Sequence, residues 1–467
     1  MSKTLEVKNP YTGELVGTLP LADKEAINSL VAKATAVKAA WADTPLFKRS
    51  EIMYRYAALI LENKEDLART LSLEMGKPIA QSRLDVFTSW AVVQGYTEKA
   101  NHLYGDVFPA DNWSGFERDL IFTRHEAIGL AACIIPFNFP LDLFVHKVAP
   151  AVIMGNCAIV KAPSENPLAM HKLCALFEKA GGPAGVVQCL AAERDTCRSY
   201  LLEHPDVQII SMTGSTGTGL KMAESGAKTL KRVFLELGGN DPTIVLEDAD
   251  LDYAVEEVVF GRLYNSGQTC CACKRFIIHQ SIIEPFTEKL IARLKKVKLG
   301  DPLNDDTELG TLISPKAAQG VMDKIGHTLK QGAKLAYGGE LTGKVKAIVT
   351  PTVLTGVQKN FDVAIDLEIF GPAFPLIPFK TDEEALAIAN SPQFGLQAGI
   401  ITRDVVRSMG MASKIKAGCV TVNGQGNYRH VEQPFGGYKM TGIGREGVSQ
   451  TLLEYSQEKS YVVRRVF

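Results

Sequence analysis

The chain has 467 residues, 46% of them hydrophobic and 22% charged, an ordinary globular composition too long for one core and pointing to two or three domains. Its net charge of −1 excludes a nucleic-acid or anionic-membrane binder that works by bulk charge. The run Met1–Val7 is polar, and the most apolar stretches, 127–137 and 148–160, are shorter than the roughly 20 residues that span a bilayer, so a cytoplasmic protein with no membrane partner is expected.

Residues 24–104 read mostly as helices, for example 48–63 with Ile52, Ala57, Leu59 and Ile60 on one face. Strand-like and helix-like segments then alternate: strands at 128–135, 158–161, 186–190 and 207–211, helices at 171–180, 196–204 and 217–225. After Gly239 the pattern restarts with a strand at 243–246, a helix at 251–265, a strand at 274–279 and a helix at 283–296. Such alternation predicts α/β architecture with helix-covered parallel sheets, and a second domain from about residue 240. Two segments, 116–124 and 460–467, alternate β-formers with charges without a crossover helix. Strands that leave the main sheet in this way often pair with another subunit, so more than a monomer is expected.

The nine cysteines are odd in number in a large chain, which favours reduced thiols over a disulfide framework. Cys270, Cys271 and Cys273 have no second cysteine pair at zinc spacing and their nearest histidine is His279, so no metal is expected.

Cys270 follows a Gly267-Gln268-Thr269 turn, and Glu236 stands upstream between Leu235 and Leu237, before two glycines. A thiolate attacks a carbonyl carbon, and a carboxylate raised in pKa by an apolar frame can then activate water against the thioester. Asn138, in Pro136-Phe137-Asn138-Phe139-Pro140, offers an amide donor to a developing oxyanion, though for the pentapeptide alone an Asx turn before a helix is the favoured account. The loop 212–219 follows a strand and opens a helix, and its small residues let amides approach a pyrophosphate. Its glycines, at 214, 217 and 219, depart from the usual dinucleotide spacing.

Taken in order, segments 136–140, 161–164, 213–215, 236–239, 267–270, 367–372 and 434–439 resemble the aldehyde dehydrogenase superfamily over essentially the whole chain. The resemblance implies a Rossmann-like cofactor domain (1–111 and 131–238), an α/β catalytic domain (239–452) and a small β ribbon for oligomerisation (112–130 and 453–467), assembled as a homodimer or homotetramer. It implies Cys270 as nucleophile, Asn138 and the Cys270 N–H as oxyanion hole, and Glu236 as the base that activates water. Lys161 would hold the adenosine ribose, Gly214 and Ser215 the pyrophosphate, and Glu368 with Phe370 the nicotinamide end; Ile135, Pro136, Phe137 and Leu237 would complete the cofactor surface. Glu446 falls where some members carry a second proton-relay carboxylate.

Three departures bear on specificity. Ser164 stands where many NAD-preferring relatives carry a Glu that repels a 2′-phosphate; with Lys161 and Arg194 near, NADP is favoured slightly over NAD, unless Glu165 takes over the missing role. His146 stands where semialdehyde-specific relatives often have Arg, which makes a succinate-semialdehyde dehydrogenase the alternative rather than the first reading. Arg429 and His430, in the loop 423–430, would suit a small hydroxylated or anionic aldehyde, and the segments 136–140 and 146–150 look like the branch that includes lactaldehyde and phosphonoacetaldehyde dehydrogenases; a structural salt bridge is the competing account of Arg429. Other readings are transfer of the thioester to coenzyme A, a thiol esterase without redox chemistry, and a non-enzymatic scaffold. The carboxylate at 236 disfavours the first, the Gly214 loop, Lys161 and Glu368 the second, and the retention of both Cys270 and Glu236 the third.

Overall fold

The computed structural model describes residues 3–466. Met1, Ser2 and Phe467, which the sequence reading places in the first domain and the ribbon, lie outside the described residues.

The helical N-terminal region comprises α1 (Lys24–Ala42), α2 (Leu46–Glu62), α3 (Lys64–Met75) and α4 (Ile79–Ala100). Asp23 caps α1 by accepting from the Ala26 N–H at 2.9 Å, and Gly76, with φ 79°, closes α3 in the left-handed conformation. These helices pack with α5 (Pro140–Ile153) and α6 (Leu168–Lys179) around a six-stranded sheet. Its order is Gly442–Ile443, Arg232–Glu236, Ile209–Thr213, Leu130–Ile134, Cys157–Lys161, Val187–Leu190. All neighbours run parallel except the first pair. Leu130–Cys133 and Cys157–Val160 are wholly buried, as strands covered on both faces require. The parallel sheet with helical crossovers is Rossmann-like.

A second, seven-stranded sheet runs Lys334–Tyr337, Thr352–Thr355, Ala373–Phe379, Arg275–His279, Pro242–Val245, Gln397–Ile401, Cys419–Val422, parallel except at the first pair. It begins where the sequence pattern restarts. Residues 442–443, read from sequence as part of this second unit, instead return to the first sheet, where Gly442 pairs with Glu236.

Leu120–Ala127 pairs antiparallel with Ser456–Val463, and Val107–Phe108 adds a third strand. The strands expected at 116–124 and 460–467 thus start four residues later and four earlier. Residues 116–119 turn instead, the Asp119 N–H donating to Phe116 O at 2.8 Å. The helix expected at 196–204 is a short turn, Arg194–Cys197, followed by a wider π turn over Arg198–Leu202.

Candidate active site

The helix that precedes Cys270 stops at Leu263 rather than running to Asn265. Asn265, Ser266 and Gly267 then take left-handed φ values of 52°, 55° and 80°. Two consecutive non-glycine residues in that region are strained, and such strain persists where the surroundings over-determine it. Here Gln81 Oε1 accepts from the Asn265 N–H at 2.8 Å, and Asn265 Nδ2 donates to Asn138 O at 2.9 Å. Gly267 is required, because a Cβ there would lie 2.5 Å from the Gly371 carbonyl carbon. The turn therefore packs directly on the segment that carries Glu368 and Phe370.

Cys270 is half-buried, and its thiol pKa is lowered by a hydrogen bond with Cys271 and by the charges of Lys274 and Arg429, against the burial that raises it. Lys274, fully buried, donates to the carbonyls of Gly239 (2.7 Å) and Cys270 and pairs with Glu368 Oε1 at 2.8 Å. One lysine thus ties together the nucleophile's loop, the glycine pair after Glu236 and the Glu368 segment.

Glu236 ends the strand Arg232–Glu236. Neither of its buried carboxylate oxygens has a hydrogen-bond partner. Burial, and then the charge of Glu446, push its pKa well above the usual carboxylate range. Glu446 behaves oppositely: Lys147 Nζ lies 2.8 Å from its Oε1 and Arg429 Nη2 2.9 Å from its Oε2, and these two cations hold it ionised. Two carboxylates of one cluster are thereby driven apart in pKa, the arrangement expected of acid–base sites.

The sequence reading left Lys147 without a role. Every residue of α5 is buried, so a lysine in that apolar helix was the available signal that an anion must face it. On the same helix His146 accepts at Nε2 from Arg429 Nη2 (3.0 Å), which leaves its proton on Nδ1, toward the Tyr96 hydroxyl at 3.1 Å. Arg429 also lies over the Phe435 ring at 4.1 Å. It is therefore an ion-pair partner within the Glu446 cluster, as the competing account of it holds. His430 is exposed and accepts from the Glu432 N–H at 3.2 Å, outside that network.

Asn138 is buried at the entrance to α5, and its carbonyl accepts from Lys77 Nζ at 3.3 Å as well as from Asn265. Lys77 is itself buried in an ion pair with Asp85, whose other oxygen accepts from the Tyr264 hydroxyl at 3.1 Å. This network, which the sequence reading missed, fixes the Asn138 backbone relative to the Cys270 turn.

The remaining predicted residues line the ends of the first sheet. Lys161 closes the strand Cys157–Lys161, half-buried, with its pKa lowered by burial and Glu165 and Arg194 among its charged neighbours. Ser164, Glu165 and Arg194 are exposed. The Gly214 N–H donates to Glu236 O at 2.9 Å, so it is not free to face an anion; the first amides of the helix Thr216–Ala227, beyond Ser215, have no intrahelical acceptor. Gly217 has open space where a side chain would project, and at Gly219 a Cβ would lie 2.6 Å from the tip of the Leu237 side chain, which would have to shift. Phe370 meets Phe137 edge to face at 6.0 Å, with Ile135 buried and Pro136 half-buried beside them in sequence. An open helix N-terminus, a half-buried lysine at a strand end and the Glu368–Phe370 edge fit a dinucleotide laid across the carboxyl ends of the strands.

The family model for the aldehyde dehydrogenase family matches residues 1–461. The chain belongs to the aldehyde dehydrogenase family. Within that family it is 37% identical to a 3-sulfolactaldehyde dehydrogenase of Pseudomonas putida over 98% of this chain and 93% of the other. It is 33% identical to a lactaldehyde dehydrogenase of Methanococcus vannielii over 100% and 98%. Its structure superposes on the glyceraldehyde-3-phosphate dehydrogenase of Methanocaldococcus jannaschii, solved with NADP, with a TM-score of 0.93 at 32% identity, covering 99% of each chain. Among the described residues no helix is long and apolar enough to cross a membrane.

Proposed function

We propose that this aldehyde dehydrogenase oxidises a small aldehyde carrying a hydroxyl or an anionic group to its carboxylic acid. The observation that carries the reading is the pairing of a thiol of lowered pKa at Cys270 with a buried, unpartnered carboxylate at Glu236. NAD or NADP, when bound, supplies the hydride acceptor.

The chain's own residues do the rest. The Cys270 thiolate adds to the carbonyl carbon, and the Asn138 amide with the Cys270 N–H holds the oxyanion that forms. Once the carbon is at the oxidation level of a thioester, Glu236 takes a proton from the attacking water, and the Cys270 sulphur departs as thiolate. The ionised Lys147–Glu446 pair lies beside Glu236, and the negative charge of Glu446 helps to raise the Glu236 pKa. Lys161 and the helix opening at Thr216 hold the adenosine and pyrophosphate, while Glu368 and Phe370 position the nicotinamide. Exposed Ser164, in place of a carboxylate that would repel a 2′-phosphate, supports NADP over NAD. The lactaldehyde and sulfolactaldehyde dehydrogenases among the relatives support the substrate class. Exposed Val107, Phe108, Val462 and Val463 on the ribbon support self-association as a homodimer or homotetramer.

The test is reduction of NAD and NADP, followed at 340 nm, with lactaldehyde, glycolaldehyde, succinate semialdehyde, glyceraldehyde 3-phosphate and an aromatic aldehyde. Turnover of the small hydroxylated or anionic members, abolished in Cys270→Ala, is expected. Turnover confined to the aromatic aldehyde would refute the substrate class, and acyl-CoA formed on addition of coenzyme A would refute release by water.

A further inference from the structure

The side chain of Lys274, four residues past Cys270, has no exposure to solvent. An ammonium buried so completely is costly unless its charge and its N–H groups are met. Two acceptors are main-chain carbonyls, Gly239 O at 2.7 Å and Cys270 O. The charge is met by Glu368, whose Oε1 lies 2.8 Å away. That oxygen is buried and has no aligned hydrogen-bond donor, so the contact is an ion pair only. Asp241 is a second buried carboxylate that feels the same charge. The ammonium also stands 5.8 Å from the centre of the Phe370 ring, within cation–π range.

The backbone around Glu368 is held by other cations. Lys324 Nζ donates to Glu368 O at 2.6 Å, and the buried guanidinium of Arg262 donates to Ile369 O. Lys274 acts on the side chain instead. The Glu368 side chain is a quarter exposed, and without a counter-charge its carboxylate would be free to turn toward solvent. Its other oxygen, Oε2, lies over Gly238, where a Cβ would come within 3.1 Å of it. The glycine pair that follows Glu236 thus leaves room for the Glu368 carboxylate and supplies one of the carbonyls that hold its lysine.

We propose that Lys274 is a positioning residue for hydride transfer, holding the Glu368 carboxylate, and with it the nicotinamide ribose, in register with Cys270. The inference rests on the cofactor placement proposed above. One ammonium spans Cys270 O and Glu368 Oε1, so the residue that carries the substrate and the residue that orients the hydride acceptor share a single anchor. The hydride leaves the substrate carbon with its electron pair, and that carbon becomes the thioester on Cys270. The rate of that step depends on how closely the two partners are kept in line, which is what a shared, buried anchor controls.

The test compares Lys274→Gln and Lys274→Met in the full-length protein. The glutamine amide can still donate to the Gly239 and Cys270 carbonyls but carries no charge to hold Glu368, so it keeps the test open should the methionine variant fail to fold. With saturating cofactor and the best aldehyde of the panel above, the burst of reduced cofactor in a stopped-flow experiment should slow by about tenfold or more. It should also show an isotope effect when that aldehyde carries deuterium on its carbonyl carbon. Hydrolysis of p-nitrophenyl acetate, which acylates Cys270 without any cofactor, should stay at the wild-type level. It is read on the high-pH plateau, where the lysine's influence on the Cys270 thiol no longer changes the amount of thiolate. A Lys274→Gln burst as fast as that of the wild type would overturn the proposal. So would ester hydrolysis that falls in step with the burst, since the lysine would then only shape the Cys270 loop. Wild-type protein that reduces neither NAD nor NADP with any aldehyde would instead refute the function proposed above, and with it the placement on which this inference rests.

Discussion

Gly436 leaves the space that the Glu236 carboxylate fills: a Cβ at residue 436 would lie 2.7 Å from Glu236 Oε1 and equally close to the Gly444 carbonyl oxygen. Gly436 also has φ 154°, at the margin of the conformations that favour glycine. Phe435, the residue before it, packs with Cys271, Leu396 and Cys270 in a small apolar cluster and exchanges backbone hydrogen bonds of 2.6 Å with Glu446. The pair 435–436 therefore sits among the thiol and both carboxylates.

Gly436→Ala should displace the Glu236 side chain while leaving Cys270 in place. Misplacement of a reacting group by about 1 Å can cost on the order of a hundredfold in rate. Thioester hydrolysis should fall by roughly tenfold or more, with a burst of reduced cofactor retained. Stopped-flow absorbance at 340 nm separates burst from steady state; loss of the burst itself would place the damage at Cys270.

Glu446→Gln removes a negative charge that raises the Glu236 pKa and leaves Lys147 and Arg429 without their counter-ion. Both changes favour ionised Glu236. A base acts only when deprotonated, so the rate climbs with pH through the Glu236 pKa. That acid limb should move to lower pH in the variant, and a limb that stays put or moves up would contradict the electrostatic coupling.

How much of this was legible beforehand differs by region. Runs such as Leu130-Ala131-Ala132-Cys133-Ile134 announce buried parallel strands because burial on both faces removes the usual alternation. Cys270, Glu236 and Asn138 stood out through their neighbours. The cluster around Glu446 did not, because Lys147, His146 and Arg429 come from α5 and from a loop 283 residues beyond His146, and only the fold brings them together. The left-handed turn before Cys270 was hidden too: Asn265 and Ser266 carry no local demand for positive φ, and the bonds from Gln81 and to Asn138 that hold it come from distant segments. From its loop alone Arg429 is open to two accounts, a contact for substrate and a structural salt bridge; that its ion-pair partner is Glu446 only the fold reveals.

Arg429→Met tests that last point. Arg429 helps lower the Cys270 thiol, so its loss should raise the thiol pKa. Alkylation of Cys270 by iodoacetamide at pH 7 should slow by roughly threefold or more, because the thiolate is the reacting form. Turnover of neutral and anionic aldehydes should fall together. A rise in KM limited to anionic aldehydes would restore Arg429 to a direct substrate contact.

Ser164→Glu adds a carboxylate three residues after Lys161 and next to Glu165. It should raise the KM for NADP by about tenfold or more through repulsion of the 2′-phosphate, with a smaller effect on NAD. Equal effects on both cofactors would mean that residue 164 does not face the phosphate.

The strand Gly442–Ile443 joins the first sheet beside Arg232–Glu236 although the residues before it belong to the second. A hinge that swung the two sheets apart would first have to peel this short strand from Glu236, and with it the Leu237 N–H from Thr441 O at 2.8 Å. The two halves are stitched together at the very residue whose placement matters most. Substrate and cofactor must therefore come and go through side-chain and loop movement around a fixed seam, and the carboxylate at its centre keeps its register throughout.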